Sequence, residues 1–314
     1  MPARFHADLH CHSTFSDGTL TPAQLAQRAR TAGVTLWALT DHDELAGIPA
    51  AQQAAAAQGL DFLAGVEISV SFAQACVHIV GLGVDPEHPA LQQGLADLRN
   101  SRGPRAQEMG RQLEAVGIPN AYEGALRYVG NPALISRTHF ARHLVETGVC
   151  KDIPEVFKHY LADGKPGHVP QRWASLQEAV GWITQAQGVA VMAHPARYGF
   201  TANEEHALFS SFCACGGQAV EVVTGSHAPH EYATYAALAR ELGLAASRGS
   251  DFHSPQESKI DLGGLPADLP GLQPVWDLLQ DRIVRARRPE APGLPRPRWA
   301  TNSTGLTTDW AQLR

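Results

Sequence analysis

Short apolar runs of strand character alternate with longer amphipathic stretches along most of the chain, and few architectures accept that order. The runs are RFHADLH (4–10), VTLWALT (34–40), LDFLAGVEIS (60–69), ACVHIVGLG (75–83), GVAVMAH (188–194), QAVEVVT (218–224) and LAASRGS (244–250), seven in all. Between them lie helical patterns: TPAQLAQRARTAG with Thr21 as N-cap and Pro22 at the first helical position, GIPAAQQAAAAQG, SLQEAVGWITQAQG with Ser175 as N-cap, and APHEYATYAALARELG. Strand, helix and strand in this rhythm predict a βα barrel or an open parallel sheet. One link departs from the rhythm. Between Glu67 and His78 there are too few residues for a crossover helix, so those two strands are expected to form a hairpin and the barrel to be irregular.

The strand signal also stops between residues 85 and 170, where helical patterns follow one another (ADLRNSRGPRAQEMGRQLEAVG, NAYEGALRYVG, ISRTHFARHLVETG, PEVFKHYLADG). The expected organisation is a discontinuous barrel, residues 1–84 and 171–288, interrupted by a helical insertion or cap at 85–170. A proline-rich, aperiodic extension, 289–314, follows. From Asp97 to Arg172 eleven Lys or Arg face eight Asp or Glu, so the insertion is basic while the chain as a whole carries −6. A basic cap over an acidic body suits a small anion held between them, although solvated helix faces give the same count.

With 314 residues, 44% of them hydrophobic and 18% charged, the chain is long enough for one large domain carrying an insertion. Its net negative charge disfavours long nucleic acid as a partner. No segment approaches the ~20 apolar residues of a membrane span, and MPARFHADLH lacks an apolar run, so a cytoplasmic protein with no membrane partner is expected. Five cysteines without a C-x-x-C pair fit reduced thiols, and Cys213 and Cys215 read as small buried side chains rather than ligands.

Chemistry concentrates at the ends of the strand runs. The first ends in His10 and His12, whose i, i+2 spacing puts both imidazoles on one face and Cys11 on the other. Asp17 follows in DLHCHSTFSDGT. The second run leads into TDHDE with Asp41, His42 and Asp43; the third holds Glu67, the fourth His78, the fifth His194, and the last leads into GSDFH with Asp251 and His253. Taken singly, each has an ordinary reading: a core histidine, a cap, an Asx turn. Taken jointly, six histidines and three carboxylates at consecutive strand ends are poorly explained by packing, because each buried polar group would need its own partner. Metal ions satisfy them together.

The segments DLHCHSTFSDGT, LTDHDELAG, GVEIS, HIVGLG, AHPARYG and GSDFH resemble, in order, the motifs of the polymerase and histidinol phosphatase (PHP) superfamily of metal-dependent phosphoesterases. ISRTHFARHLVETG followed by YLADGKPGHVP is similar to the branch of nucleoside 3′,5′-bisphosphate phosphatases, which is related to bacterial 5′→3′ exoribonucleases acting on short RNA. The resemblance implies an α/β fold, a distorted (β/α)7 barrel of the PHP type with a helical insertion domain, and three divalent metals. It assigns the first metal to His10, His12, Glu67 and Asp251, the second to a bridging Glu67 with His78 and His194, and the third to Asp17, His42 and His253. Some relatives place a histidine where this chain has Asp17, and the extra carboxylate favours a harder ion there. Manganese is the first choice, with zinc and iron as alternatives.

Three divalent ions against three carboxylates leave the cluster at about +3 before water binds, an attraction for a phosphate monoester dianion. The expected reaction is in-line attack of a metal-bridging hydroxide on a 3′-phosphate, with no nucleophilic side chain. Asp8, Asp41 and Asp43 would orient ligand imidazoles through their second nitrogen, or serve as turn and cap carboxylates. Ser136, Arg137 and His139 at a helix start would bind a 5′-phosphate, with Lys165 and Arg197 as further cations, each of which could equally be a surface charge. The partner is then a small nucleotide such as pAp, or a short 5′-phosphorylated oligonucleotide trimmed from its 5′ end. Another small phosphomonoester such as histidinol phosphate, and a noncatalytic metal-binding module, are the remaining readings. An amidohydrolase fits the LHCHS and GSDFH spacing less well.

Overall fold

The computed structural model describes residues 5–266 and 271–286. Seven strands follow chain order around one sheet: β1 (Ala7–Asp8), β2 (Leu36–Leu39), β3 (Asp61–Phe72), β4 (Ala75–Leu82), β5 (Val189–Met192), β6 (Ala219–Thr224) and β7 (Ala245–Gly249). Neighbours are parallel except on either side of β4, which runs against both β3 and β5. The expected hairpin is therefore present, turned by Ala73 and Gln74, both at positive φ. The last strand returns to the first. Leu9 N–H donates to Arg248 O (3.0 Å), Asp251 N–H to His10 O (2.9 Å), and Cys11 pairs with Phe252, so the sheet comes close to a closed barrel.

The strands are buried on both faces and their residues alternate between two apolar layers. Leu36 and Ala38 of β2 point into an inner cluster with Leu9, Leu63, Val80 and Val191. Trp37 and Leu39 point outward into a larger cluster beneath the helices. Phe5, Val275, Trp276 and Leu279 close the inner cluster at the N-terminal end of the strands, which leaves the opposite end for chemistry.

Helices α1 (Pro22–Thr31) and α2 (Ile48–Gln58) pack on one another and on β2 and β3. The helix α1 starts with Thr21 and Gln24 in a reciprocal capping box. In the segment 85–170, α3 (Pro89–Ala115) runs through Pro104, and α4 (Ala121–Leu126), α5 (Arg137–Glu146) and α6 (Ile153–Val156) follow it. A wide-turn helix at Phe157–Leu161 continues α6. Leu91, Leu95 and Leu98 of α3 join the barrel's outer cluster, whereas Ala106, Met109 and Leu113 form a separate core with Phe140, Leu144, Val156 and Leu161. One long helix thus serves both cores. After this segment come α7 (Leu176–Gln185), capped by Ser175 and Glu178 and packed on α3, then α8 (Ala202–Ala214) and α9 (Pro229–Leu242). The sequence patterns did not single out α8: its buried face is only Leu208, Phe209 and Phe212, within a segment of Ser, Cys and Glu.

All five cysteines are unpaired, and Cys11 turns away from the site to accept from Trp37 Nε1–H (3.2 Å). Among the described residues no helix is long and apolar enough to cross a membrane. The proline-rich stretch 289–314 lies outside the described residues.

Candidate metal centre

His10 and His12 leave β1 on one face, and the close approach of β7 carries Asp251 and His253 to them. That approach requires a glycine: a Cβ on Gly249 would sit 2.2 Å from the His10 Cβ. His194 and Asp251 both hold positive φ (27° and 53°), a backbone state that side chains other than glycine adopt rarely and that recurs where geometry serves a site.

Glu67, fully buried in the middle of β3, is the hub. Its Oε1 lies 2.9 Å from His78 Nδ1, 2.9 Å from His194 Nε2 and 3.4 Å from His10 Nε2. Its Oε2 lies 2.9 Å from His42 Nδ1 and 3.2 Å from His12 Nε2. Asp251 Oδ1 faces His12 Nε2 (3.3 Å) and His10 Nε2 (3.5 Å), and Asp17 Oδ1 faces His253 Nε2 (3.4 Å) and His42 Nε2 (3.9 Å). All nine residues that the sequence singled out as metal ligands therefore converge. Their donor atoms form three overlapping groups: His10, His12, Glu67 and Asp251; His42, Glu67 and His78; and His12, Asp17, His42 and His253. The first is the set that the family resemblance implied. In the other two, His42 is shared and His12 joins Asp17, while His194 reaches the centre through Glu67.

The donor set fits divalent cations. Seven buried atoms of the cluster lack a hydrogen-bond partner: His12 Nδ1, Asp17 Oδ1, His42 Nδ1, Glu67 Oε2, His78 Nδ1, His194 Nδ1 and Asp251 Oδ1. Several approach one another closely without hydrogen-bond geometry, as donors do when they converge on a shared cation. Burial alone would raise the Glu67 carboxyl, but the surrounding His78, His42 and His10 rings outweigh it and hold the group well below the usual carboxylate range. Asp17 and Asp251 are held low in the same way, so all three remain acceptor-only.

The expected orienting carboxylates do something else. Asp8 accepts backbone N–H groups of Ser250 (2.9 Å) and Gly263 (2.7 Å), tying β1 to the loops after β7. Asp41 accepts from Ser13 N–H (2.7 Å) and from the hydroxyls of Ser13 (2.7 Å) and Ser16 (2.6 Å). Asp43 takes Ser69 N–H (2.8 Å), Ser69 Oγ–H (3.0 Å) and the Arg102 guanidinium. These contacts hold loops and leave the imidazoles alone, because the carboxylates lie beneath the loops rather than beside the rings. Glu221 of β6 has the orienting role instead: Oε1 faces His10 Nδ1 at 2.8 Å, and Oε2 accepts His194 N–H at 2.8 Å. The signal was an acid inside the apolar run AVEVV. Tyr198 and Ser226 were also missed. The Tyr198 hydroxyl accepts His78 N–H (2.8 Å) and donates to Ala193 O (2.9 Å), and Ser226 Oγ donates to Asp251 Oδ2 (3.0 Å).

The expected phosphate-binding residues divide. Ser136 is the N-cap of α5, with its hydroxyl 3.4 Å from Asp17 Oδ2. Arg137 is half-buried with its guanidinium 5.6 Å from the centre of the Phe157 ring. Arg197 stands at the rim, its Nη1 3.3 Å from Asp251 Oδ2. His139 offers no cation: it is fully buried, its Nδ1 accepts Ser136 N–H (3.0 Å), and burial pushes its pKa down to about 4. Lys165 is exposed in the turn after the wide-turn helix. A cleft of about 320 Å³ opens beside Asp251 and His253, walled by Arg197 and Ser226 on the barrel side and by Thr138, Ile153 and Phe157 on the other.

A histidine and carboxylate cluster at the C-terminal end of a seven-stranded barrel with one reversed strand defines a class, and the chain belongs to it: the PHP domain family, whose domain matches residues 8–123. Over 279 residues, 88% of this chain and 98% of the relative, it is 50% identical to a 3′,5′-nucleoside bisphosphate phosphatase of Chromobacterium violaceum. It is 42% identical over 275 residues, 86% of this chain and 93% of the relative, to the 5′–3′ exoribonuclease Rnm of Salmonella typhimurium. A solved structure from Chromobacterium violaceum, described as an amidohydrolase with bound sulfate and no metal, aligns with a TM-score of 0.86 at 50% identity, covering 89% of this chain and 98% of its own. Family and cluster together make this chain a metal-dependent hydrolase of phosphate esters.

Proposed function

We propose that this chain removes the 3′-phosphate of nucleoside 3′,5′-bisphosphates, converting pAp to 5′-AMP and phosphate. The observation that carries the reading is the cleft in which Asp251 and His253 of the cluster face Thr138, Ile153 and Phe157, leaving room for one nucleotide between the metal donors and the helical segment. The 50% identical phosphatase supports the substrate, and the sulfate held by the related structure supports an anion site in such a fold.

In this reading His10, His12, Glu67 and Asp251 hold one divalent ion, Glu67, His78 and His194 a second, and Asp17, His42 and His253 a third. The ions are manganese, or zinc or iron. Divalent ions held by these residues would supply positive charge for the phosphoryl oxygens and Lewis acidity to activate water near neutral pH. The protein's own groups position the substrate. Arg197 lies beside Asp251, where it draws the reacting phosphate into the cleft. Ser136, Arg137 and the free N–H groups at the start of α5 anchor the 5′-phosphate. Phe157 and Ile153 cover the nucleoside and exclude water. The segment 85–170 acts as the cap.

A second reading has its own support. The cleft adjoins a groove of about 800 Å³ and shares Ile153, Glu257 and Lys259 with it, so a 3′-linked nucleotide could trail out and short 5′-phosphorylated RNA be trimmed from its 5′ end. That would match the name of the Salmonella relative. Chromatography of the products from pAp tests the orientation. 5′-AMP and phosphate are expected, with adenosine 3′-monophosphate a far poorer substrate because it lacks the anchor. Adenosine 3′-phosphate as the product from pAp would refute it.

A further inference from the structure

The nine cluster residues are not held in place by the same part of the molecule. His10 and His194 are fixed by Glu221, His78 by Tyr198, and Asp251 by Ser226 and the His10 carbonyl, all within the barrel. The segments carrying Asp17, His42 and His253 have barrel contacts too, His42 through the pairing of its neighbours with Glu67, but they are in addition gripped by arginines from the 85–170 segment. Arg142 of α5 is 8% exposed, and its Nη2 donates to the Asp17 carbonyl (2.7 Å). The same guanidinium makes a two-pronged pair with Glu257, Nε to Oε1 at 2.8 Å and Nη2 to Oε2 at 2.7 Å. Glu257 sits in the turn that follows His253, and that turn is tied to the histidine by His253 N–H donating to Ser258 Oγ (2.8 Å) and Glu257 N–H donating to Ser254 Oγ (3.0 Å). On the other side, Arg99 Nη1 of α3 donates to the Asp43 carbonyl (2.7 Å), and Arg102 pairs with the Asp43 carboxylate, fixing the backbone directly after His42.

We propose that the cap completes the Asp17, His42 and His253 subsite, and that Arg142, acting through Glu257 and the Asp17 carbonyl, is a positioning residue for the ion bound there. A planar guanidinium with one fixed fork on a carboxylate and a further bond to a carbonyl sets the separation of two loops, which a flexible ammonium or a methyl group cannot do. Arg142 touches no donor of the other two subsites, whose donors, apart from the shared His42, are held by the barrel. Binding of the third ion is therefore coupled to docking of the cap, and the segment that would cover the substrate also prepares the centre beneath it.

The inference rests on the three-ion reading, and the test separates the two. The full-length protein, stripped with EDTA, is titrated with Mn²⁺ by calorimetry, and bound metal is counted after equilibrium dialysis. The wild type is expected to take up three equivalents. Asp17→Ala, which removes a donor directly, marks which equivalent belongs to the third subsite. Arg142→Met is expected to weaken that equivalent about ten- to hundredfold, the usual cost of losing a group that orients a ligand, while the other two stay within about twofold of wild type. Glu257→Gln is expected to act in the same direction and decides the matter if Arg142→Met does not fold. Three equivalents of wild-type affinity in the folded variants, or equal weakening of all three, would overturn the coupling. Fewer than three equivalents in the wild type would instead overturn the three-ion reading and remove the subsite the inference concerns.

Discussion

Replacing Glu221 by Gln changes almost no volume at a position that is 1% exposed, yet it should weaken metal binding at the centre. The carboxylate takes two donors, the His10 ring at 2.8 Å and the His194 backbone N–H at 2.8 Å, one on each oxygen. Accepting at His10 Nδ1 places the ring proton there and leaves Nε2 with a free lone pair toward Glu67 and Asp251. A glutamine has one oxygen and one NH₂. If the oxygen keeps His194, the NH₂ faces His10 Nδ1 and drives the ring proton to Nε2, where it blocks coordination. If the oxygen keeps His10, the NH₂ opposes the His194 N–H. Either arrangement loses one charge-assisted bond, roughly 1.5 to 3 kcal/mol, equivalent to about ten- to a hundredfold in affinity. Mn²⁺ titration of the stripped variant, with phosphate release from pAp in parallel, should show that loss, and far-ultraviolet circular dichroism should show an intact fold. Wild-type affinity in Glu221→Gln would mean that Glu221 merely fills space, and that the tautomer of His10 is set elsewhere.

Asp251→Asn should abolish turnover and lower bound metal by at least one equivalent in a folded protein; near-normal activity would contradict its place among the donors. Arg137→Ala should weaken pAp strongly while sparing a simple aryl phosphate, which has no second phosphate to anchor, and equal losses on both would assign Arg137 to the fold. His139 yields a pH prediction. Burial lowers its folded-state pKa to about 4, against an unfolded value near 6.5, so the unfolded chain binds more protons between those limits and stability falls as pH falls through them. Between pH 7 and pH 5 the loss from this group is about 2 kcal/mol. His139→Gln, which keeps a side chain able to cap at that position, should lose less over the same interval in urea unfolding, and parallel losses in the two proteins would show that His139 is not kept neutral.

Local sequence carried the barrel and the convergence of its histidines and carboxylates at one end. The seven strand runs are legible because a strand buried on both faces must be apolar throughout, and the short link between Glu67 and His78 allows only a hairpin. The donors are legible because a barrel presents the ends of its strands at one place, so histidines and acids that recur at those ends must meet. What tertiary structure alone decided is which groups support the donors. Asp8, Asp41 and Asp43 stand beside the ligand motifs in sequence but turn beneath the loops, whereas Glu221 reaches His10 across 211 residues of chain. His139 has the placement of a phosphate ligand in sequence, and only packing shows its ring committed to capping its own helix. Arg142, in the middle of α5, meets Asp17 and Glu257 from opposite ends of the chain. Periodicity reports which face of an element is buried, because that depends on neighbours three or four positions away. The partner a buried charge finds depends on how distant elements dock, and no local pattern records it.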